Sequence, residues 1–230
     1  MYSQTPALAI SPAVVANWRQ TGAGAALAVS LDEVKTFVNR PIEDDFWDDE
    51  YTRFIKTATY EIERVCQIDI TAKTWVGTLP AFWDRIHLTK RPFVEVTGMQ
   101  YVEPTGTIST VTPTLYHALP APQATGMVFR GDGLSWPAAA RRQDAVRITV
   151  KSGFGLSDEE VDAGHPALPD EIRHALLMTI ASLETKRGDD GGGGGGNVTV
   201  YAMKNARGGS LLPPEAKSLL MHHTYRWITV

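Results

Sequence analysis

The sequence predicts an α+β fold, with a helical bundle built from both chain ends and an antiparallel β-domain inserted between its parts. Apolar residues recur at helical spacing before residue 70 and again after Pro169. Between residues 74 and 151 apolar and polar residues alternate instead, with turn-forming Gly and Pro between the runs. Nowhere does this pattern bring together the residues of a catalytic set. The sequence therefore favours a scaffold that presents surfaces, and we do not expect an enzyme.

The composition excludes several classes of protein. The chain has 230 residues, of which 43% are hydrophobic and 21% charged, and its net charge of -4 provides no general basic surface for wrapping DNA. Cys66 is the only cysteine, so neither a disulfide framework nor a cysteine-rich zinc cluster is expected. Its place on an apolar helix face predicts a small buried side chain. No apolar run approaches the roughly 20 residues that a membrane span needs.

The first segment, residues 1–29, is rich in Ala. Ala26-Leu27-Ala28 resembles a signal cleavage site only faintly, because no basic region precedes it and Pro6, Pro12 and Arg19 interrupt the apolar stretch. We expect a weakly ordered arm that is not an export signal.

Two helices are predicted within residues 30–70. Ser30 and Glu33 form a capping box, in which each side chain accepts from the backbone amide of the other, and the helix ends before Pro41. Carboxylates then open a second helix that runs to about Cys66. This acidic cluster lacks the alternating ligands and glycine of a calcium loop, so no metal is expected. The cluster comprises Glu43, Asp44, Asp45, Asp48, Asp49 and Glu50, and the apolar stripe comprises Tyr51, Phe54, Ile55, Ala58, Ile62 and Val65.

Residues 71–155 are predicted to form the inserted β-domain, with about six short strands. Trp75, Trp83 and Trp136 are expected in its core or at its rim. Two alternating runs carry the prediction: Val94, Val96, Gln100 and Val102 alternate with Glu95, Thr97, Met99 and Tyr101, and Val146, Ile148 and Val150 alternate with Arg147, Thr149 and Lys151.

Residues 156–188 return to the helical pattern, residues 189–210 form a Gly-rich tether, and residues 211–230 form a last helix. Gly191 to Gly196 lack the Lys and Ser/Thr that complete a phosphate loop, so a flexible tether is expected. The adjacent His222 and His223 point apart on a helix and cannot share a metal. The stripe of the helix after Pro169 comprises Ile172, Ala175, Leu176, Thr179, Ile180 and Leu183.

Short motifs follow one another in a distinctive order from Ser30 to Trp227. They are SLDEVKTFV from Ser30, Thr74-Trp75, DRIHL from Asp84, RPFVEVT from Arg91, Ser135-Trp136-Pro137, Gly153-Phe154-Gly155, Leu168-Pro169, Leu212-Pro213 and Tyr225-Arg226. This order resembles that of phage head-tail connector proteins, of the long adaptor type found in siphophages, prophages and gene transfer agents.

The resemblance implies a virion structural protein of the head-tail connector region, made in the host cytoplasm. Such an adaptor binds the portal protein as a ring, expected to be dodecameric, closes the DNA-filled head and joins it to the tail. Its implied partners are the portal, neighbouring adaptor subunits and the next connector or tail-completion protein. DNA would pass through the ring without sequence-specific binding, and neither a cofactor nor a membrane is expected.

We assign Tyr225, Arg226 and Trp227 to the portal or partner interface, because aromatic and arginine side chains near a chain end are good anchors. With the Gly-rich tether before it, the segment from Val198 to Arg226 is expected to dock on a partner. The rest of the chain should then stay folded without it.

Two alternatives remain. A β-rich module that binds carbohydrate on a helical scaffold would place Trp75, Trp83 and Trp136 in one exposed row. An enzyme would need an acid-base pair, for which Asp84 with His87 and Glu159 with His165 are the available residues.

Overall fold

A computed structural model of the chain describes residues 13–15, 17–23, 26–120, 124–189 and 210–224. These residues contain nine β-strands, five α-helices and one 3-10 turn, so the predicted α+β class is confirmed. The chain divides into two compact units: unit 1 comprises Met1–Gly22 and Lys73–Ser152, and unit 2 comprises Ala23–Ala72 and Gly153–Val230. The segment Lys73–Ser152 of the β-rich unit thus interrupts the helical unit in sequence.

The helices belong to unit 2. Ser30 caps the first of them by accepting from the Glu33 amide at 3.1 Å. The Glu33 carboxylate instead binds Arg173 at 3.1 Å, so the structure shows one half of the predicted capping box. The second helix ends at Cys66 because Gln67 adopts a left-handed conformation. The helices are α1 (Leu31–Phe37), α2 (Asp48–Cys66), α3 (Asp158–Asp162), α4 (Asp170–Asp189) and α5 (Pro214–Leu220).

The core of unit 2 contains the predicted stripes of α2 and α4. All six stripe residues of α4 are buried, and on α2 only Val65 is half exposed. Cys66 is buried in the same core, as predicted.

The last helix, α5, packs into this core as well. Leu212, Ala216 and Leu220 are each at most 3% exposed, and all three contact the apolar cluster formed with α2 and α4. This corrects the expectation that the segment from Val198 to Arg226 docks only on a partner, because side chains with so little exposure stabilise the free subunit. The Gly-rich tether from Gly191 to Gly196 lies outside the described residues.

Unit 1 contains two sheets with the strand orders β1-β4-β8-β7 and β2-β3-β9-β5-β6. The predicted antiparallel arrangement holds for most pairs, but β1 pairs with β4 in parallel. The strands are β1 (Ala13–Val14), β2 (Asn17–Ala23), β3 (Lys73–Leu79), β4 (Arg85–Leu88), β5 (Phe93–Val102), β6 (Ile108–Thr110), β7 (Tyr116–Pro120), β8 (Gly126–Arg130) and β9 (Val146–Ser152).

The predicted alternation is correct in β9 and holds only in part in β5, where Glu95 and Thr97 are exposed and Val102 is buried as predicted. Val146, Ile148 and Val150 are all fully buried. On β5, however, Met99 is buried and Gln100 is exposed, the reverse of the predicted faces. The register irregularity between Val96 and Gly98 causes the reversal at Met99 and Gln100, because the extra residue moves the side chains that follow it to the other face.

The segments Ala13–Val14 and Asn17–Ala23 correct the prediction of a weakly ordered arm, because they form β1 and β2 and extend the two sheets. Val15 is fully buried, and the Trp18 indole donates to Thr89 Oγ1 at 2.9 Å. Both side chains lie over Gly77 of β3, where an added Cβ would be 2.5 Å from Val15 Cγ1 and 2.7 Å from Trp18 Cζ3. The missing side chain at Gly77 therefore makes room for the N-terminal segment.

Replacement of this glycine tests that packing. We expect Gly77→Ala to lower the free energy of unfolding by about 1–3 kcal/mol, because a methyl group there overlaps a stiff β-branched side chain and an anchored indole. Gly98→Ala is the matched control: Gly98 lies in a strand of the same sheet and has no atom within 4 Å of an added Cβ. It should be neutral or stabilising by up to about 1 kcal/mol. Equal effects in urea unfolding would contradict this packing.

A second pair of variants tests the role of α5. Leu220→Ala removes a side chain that is 1% exposed and should cost about 2–5 kcal/mol of unfolding free energy. The neighbouring Met221 is 59% exposed, so Met221→Ala should change it by less than about 0.5 kcal/mol. Urea titrations followed by the helical circular-dichroism signal would measure both. Indistinguishable values would indicate that α5 does not stabilise the free subunit.

Candidate interaction surfaces

The interface residues predicted from sequence, Tyr225, Arg226 and Trp227, lie outside the described residues, so their role stays a prediction. The described part of the chain contains no cluster of three or more His, Cys, Asp or Glu side chains that could hold a metal ion. Among the helices described, none is long and apolar enough to cross a membrane.

The three tryptophans of unit 1 do not behave as one exposed row. Trp75 and Trp136 pack against the apolar core, and only Trp83 is exposed, at 44%. The Trp136 ring stacks on Phe82 at 4.8 Å between centroids, and the Lys90 ammonium lies 3.3 Å from the Trp75 ring centroid. This arrangement agrees with the expectation of core and rim residues and does not support a carbohydrate site.

The first possible acid-base pair, Asp84 with His87, is engaged elsewhere. The Asp84 carboxylate forms an ion pair with Arg130 at 3.2 Å, and His87 Nε2 lies 3.1 Å from Thr125 Oγ1. Burial lowers the pKa of His87 below its usual range.

The two residues of the second possible pair, Glu159 and His165, lie in different environments. His165 is buried, with Nδ1 2.9 Å from the Gly153 carbonyl oxygen, whereas Glu159 is exposed at the start of α3. The structure therefore brings neither pair together as a catalytic unit.

The outer face of the four-stranded sheet is unusually apolar. A first row of four directly paired residues crosses this face. In order across the sheet they are Val14 on β1, His87 on β4, Met127 on β8 and Leu119 on β7. Val14 is 42% exposed and Leu119 54%. The opposite face buries Ile86 and Val128, so these row residues point away from the core.

A second row on the same face consists of Arg85, Phe129 and His117, which pair directly across β4, β8 and β7. We call the two rows together the sheet platform. It combines four apolar side chains with one arginine and two histidines, and none of its seven residues carries a carboxylate. Arg85 has no ion pair among the residues described here.

The second row opens into a shallow groove of about 650 Å³. Its lining includes two carboxylates, Asp132 and Asp84, of which Asp84 is already paired with Arg130. The groove is lined by Asp84, Arg85, His117, Leu119, Phe129, Arg130, Gly131, Asp132 and Gly133.

The outer face of the five-stranded sheet differs from the platform. There Lys151 pairs with Glu95 at 2.7 Å and Arg147 with Asp144 at 3.0 Å, so its charges are balanced within the face. Apolar side chains exposed on a solvent-facing sheet indicate a surface that another molecule covers. The platform meets this description, whereas on the described strands of the other sheet Ile108 is a single exposed large apolar side chain.

Unit 2 carries a second exposed apolar feature, the connection between α1 and α2. We call residues 38–47 the acidic loop. Phe46 is 76% exposed and Ile42 50%, and Glu43, Asp44 and Asp45 lie between them. Two large apolar side chains on either side of three carboxylates are costly to leave in water unless a partner buries them.

Buried and partly buried ion pairs hold this loop in place. The Lys35 side chain, 3% exposed, lies 2.6 Å from Asp48 Oδ1 and donates to the Ile42 carbonyl at 2.9 Å. Asp48 Oδ1 is buried without a well-directed hydrogen bond from any described group, so its contact with Lys35 is Coulombic. The loop is therefore attached to both of the helices that flank it.

A third helix also holds the loop. Arg40 donates to Glu184 Oε1 on α4 at 3.0 Å, and the Tyr51 hydroxyl donates to the same oxygen at 2.8 Å. Burial, together with this hydrogen bond, raises the pKa of Tyr51 to about 12. The hydroxyl therefore remains a donor at any pH near neutrality.

Comparison with solved structures places this geometry in context. The chain superposes on a chain in the neck of the empty gene transfer agent (GTA) particle computed with C6 symmetry, with a TM-score of 0.66 and 18% identity over 94% of this chain and 99% of that one. It has the fold of a gene transfer agent neck component. The predicted resemblance to head-tail connector proteins is thereby confirmed in the fold.

Two further structures agree. A chain of the native GTA virion has a TM-score of 0.65 and 18% identity over 93% of this chain and 98% of that one. A chain in the native GTA neck computed with C12 symmetry has a TM-score of 0.58 and 17% identity over 91% and 97%. The sequence itself matches no family model and no curated protein sequence.

Removal of the buried cation tests how the acidic loop is held. We expect Lys35→Met to cost about 3 kcal/mol of unfolding free energy, because it leaves the Asp48 carboxylate without its counter-charge. Amide hydrogens of residues 38–47 should also exchange faster. Lys56→Met on the exposed face of α2 is the control and should change neither measurement. Unchanged loop exchange in Lys35→Met would show that the ion pair does not restrain the loop.

Proposed function

We propose that this protein is a structural component of a virion, a head-tail connector adaptor that binds the portal as a dodecameric ring. In this role it closes the DNA-filled head and joins it to the next connector or tail-completion protein. The observation that carries the proposal is the structural likeness to GTA neck and virion chains, which extends over nearly the full length of both chains compared. Similarity over whole chains, not over one common domain, favours a shared architectural role.

Ring formation is supported by two properties. The neck structures that contain similar chains were computed with C6 and C12 symmetry. A cyclic ring also requires two different complementary faces on each subunit, and the acidic loop and the sheet platform are two such faces.

The charge of the chain suits the passage of DNA. With a net charge of -4, a ring of these subunits repels the phosphate backbone and does not bind it tightly. We retain Tyr225, Arg226 and Trp227 as the proposed portal contact, on the strength of their residue types.

Co-purification with the portal of the same particle tests this function. We expect a complex that holds twelve adaptor copies, the number that C12 symmetry favours. Particles assembled without the adaptor should contain filled heads that lack tails. Tailed, infectious or transfer-competent particles without this protein would refute the proposal.

The same assay tests the proposed portal contact. Replacing Tyr225, Arg226 and Trp227 with Ala should abolish co-purification, since aromatic and arginine anchors dominate interface energies. His222→Ala, at a nearby exposed position, is the matched control and should bind normally. Normal portal binding by the triple variant would place the contact elsewhere on the chain.

A further inference from the structure

We propose that the acidic loop of one copy of this chain docks on the sheet platform of the neighbouring copy, so that copies join head to tail. The inference rests on the proposed function, which requires a ring, and it specifies the surfaces that meet between neighbouring subunits.

The acidic loop and the sheet platform are complementary in residue composition. The loop presents Phe46 and Ile42 beside three carboxylates, whereas the platform presents apolar side chains beside Arg85 and His117 and carries no carboxylate in its two rows. Apolar surface thus meets apolar surface, and the loop carboxylates meet Arg85. The groove also carries Asp84, which is already paired with Arg130, and Asp132. Asp45 is exposed and has no ion pair within the described residues, which makes it the natural partner for Arg85.

The groove of the platform is large enough for the Phe46 side chain. A buried Phe side chain removes roughly 150–250 Å² of surface from water, which makes Phe46 a strong anchor. The groove beside Arg85, at about 650 Å³, has room for this ring and for a neighbouring carboxylate. Phe129 and Leu119 provide apolar lining for the Phe46 ring, and Arg85 lines the same groove.

The acidic loop is preorganised for docking. Lys35 holds the Ile42 carbonyl, and Arg40 is paired with Glu184, so the loop is already restrained before it meets a partner. A restrained loop loses less conformational entropy on docking than a free one.

The pairing is also directional. Two acidic loops brought together would place carboxylates against carboxylates, and two platforms would place Arg85 against Arg85. Only contact between unlike surfaces satisfies both sets of charges, and such heterologous contacts form a ring when the rotation from one copy to the next closes.

Cysteine cross-linking within assembled particles tests the contact. In the variant Phe46→Cys with Leu119→Cys, oxidation should link successive copies into a ladder of multimers. The matched control is Phe46→Cys with Ile108→Cys, because Ile108 and Leu119 are both 54% exposed and both lie in unit 1. The control should give no ladder, and the natural chain should give none because Cys66 is buried.

The outcomes separate the inference from the function on which it rests. Particles that contain the double-cysteine chain but give no ladder, or as much ladder as the control, overturn the contact and leave the connector role intact. Particles from which the natural chain is absent refute the connector role itself.

Charge reversal provides a second test that introduces no cysteine. Arg85→Glu and Asp45→Arg should each lower incorporation into particles by roughly tenfold, since each places like charges together at the contact. The two changes combined in one chain restore the attraction and should recover most of the incorporation. If the combined variant is incorporated into particles no better than the product of the two single-variant fractions, the contact is overturned.

Discussion

The close approach of two backbone segments, at Thr71 and Gly153, allows the β-rich unit to be inserted in the helical one. An added Cβ at Gly153 would lie 2.1 Å from the Thr71 carbonyl oxygen, and its φ of +108° belongs to the region that favours glycine. Directly beyond, Lys73 pairs with Ser152 as the first rung between β3 and β9. The chain therefore leaves the helical unit and returns to it through neighbouring segments.

Each unit then completes its core with residues from distant parts of the sequence. The core of unit 2 includes Leu212 and Leu220, which follow α4 only after the Gly-rich tether. The core of unit 1 includes Val15, which precedes the inserted segment by more than 50 residues. Both chain ends therefore contribute to stability, and truncation at either side removes buried apolar area from the folded subunit.

The solvent-facing surfaces differ in how far their charged and apolar side chains are paired within the subunit, and this difference is relevant to assembly. The five-stranded sheet balances its charges within its own face through pairs such as Lys151 with Glu95. The platform and the acidic loop instead leave Arg85, Phe46 and Ile42 exposed, although ion pairs such as Lys35 with Asp48 restrain the loop. Two unmatched surfaces of this kind suit the repeating assembly that we propose, since what is unsatisfied on one copy would be complementary to the next.

The sequence by itself determined the elements with strong local signals. Helical spacing gave the buried stripes of α2 and α4, period-two alternation gave β9, and the order of motifs gave the connector resemblance that the fold confirms. These features depend on neighbours only a few residues apart, so a linear pattern contains them.

Only the tertiary structure decided the rest. The bulge that reverses Met99 and Gln100, the strands Ala13–Val14 and Asn17–Ala23, and the burial of α5 depend on contacts between residues far apart in sequence. The two candidate surfaces were missed for the same reason. The platform combines residues from β1, β4, β7 and β8, and no spacing in the sequence records which strands become neighbours. The acidic loop did carry a signal, because Ile42 and Phe46 stand off the helical stripe, but its rigidity depends on Glu184 of a distant helix.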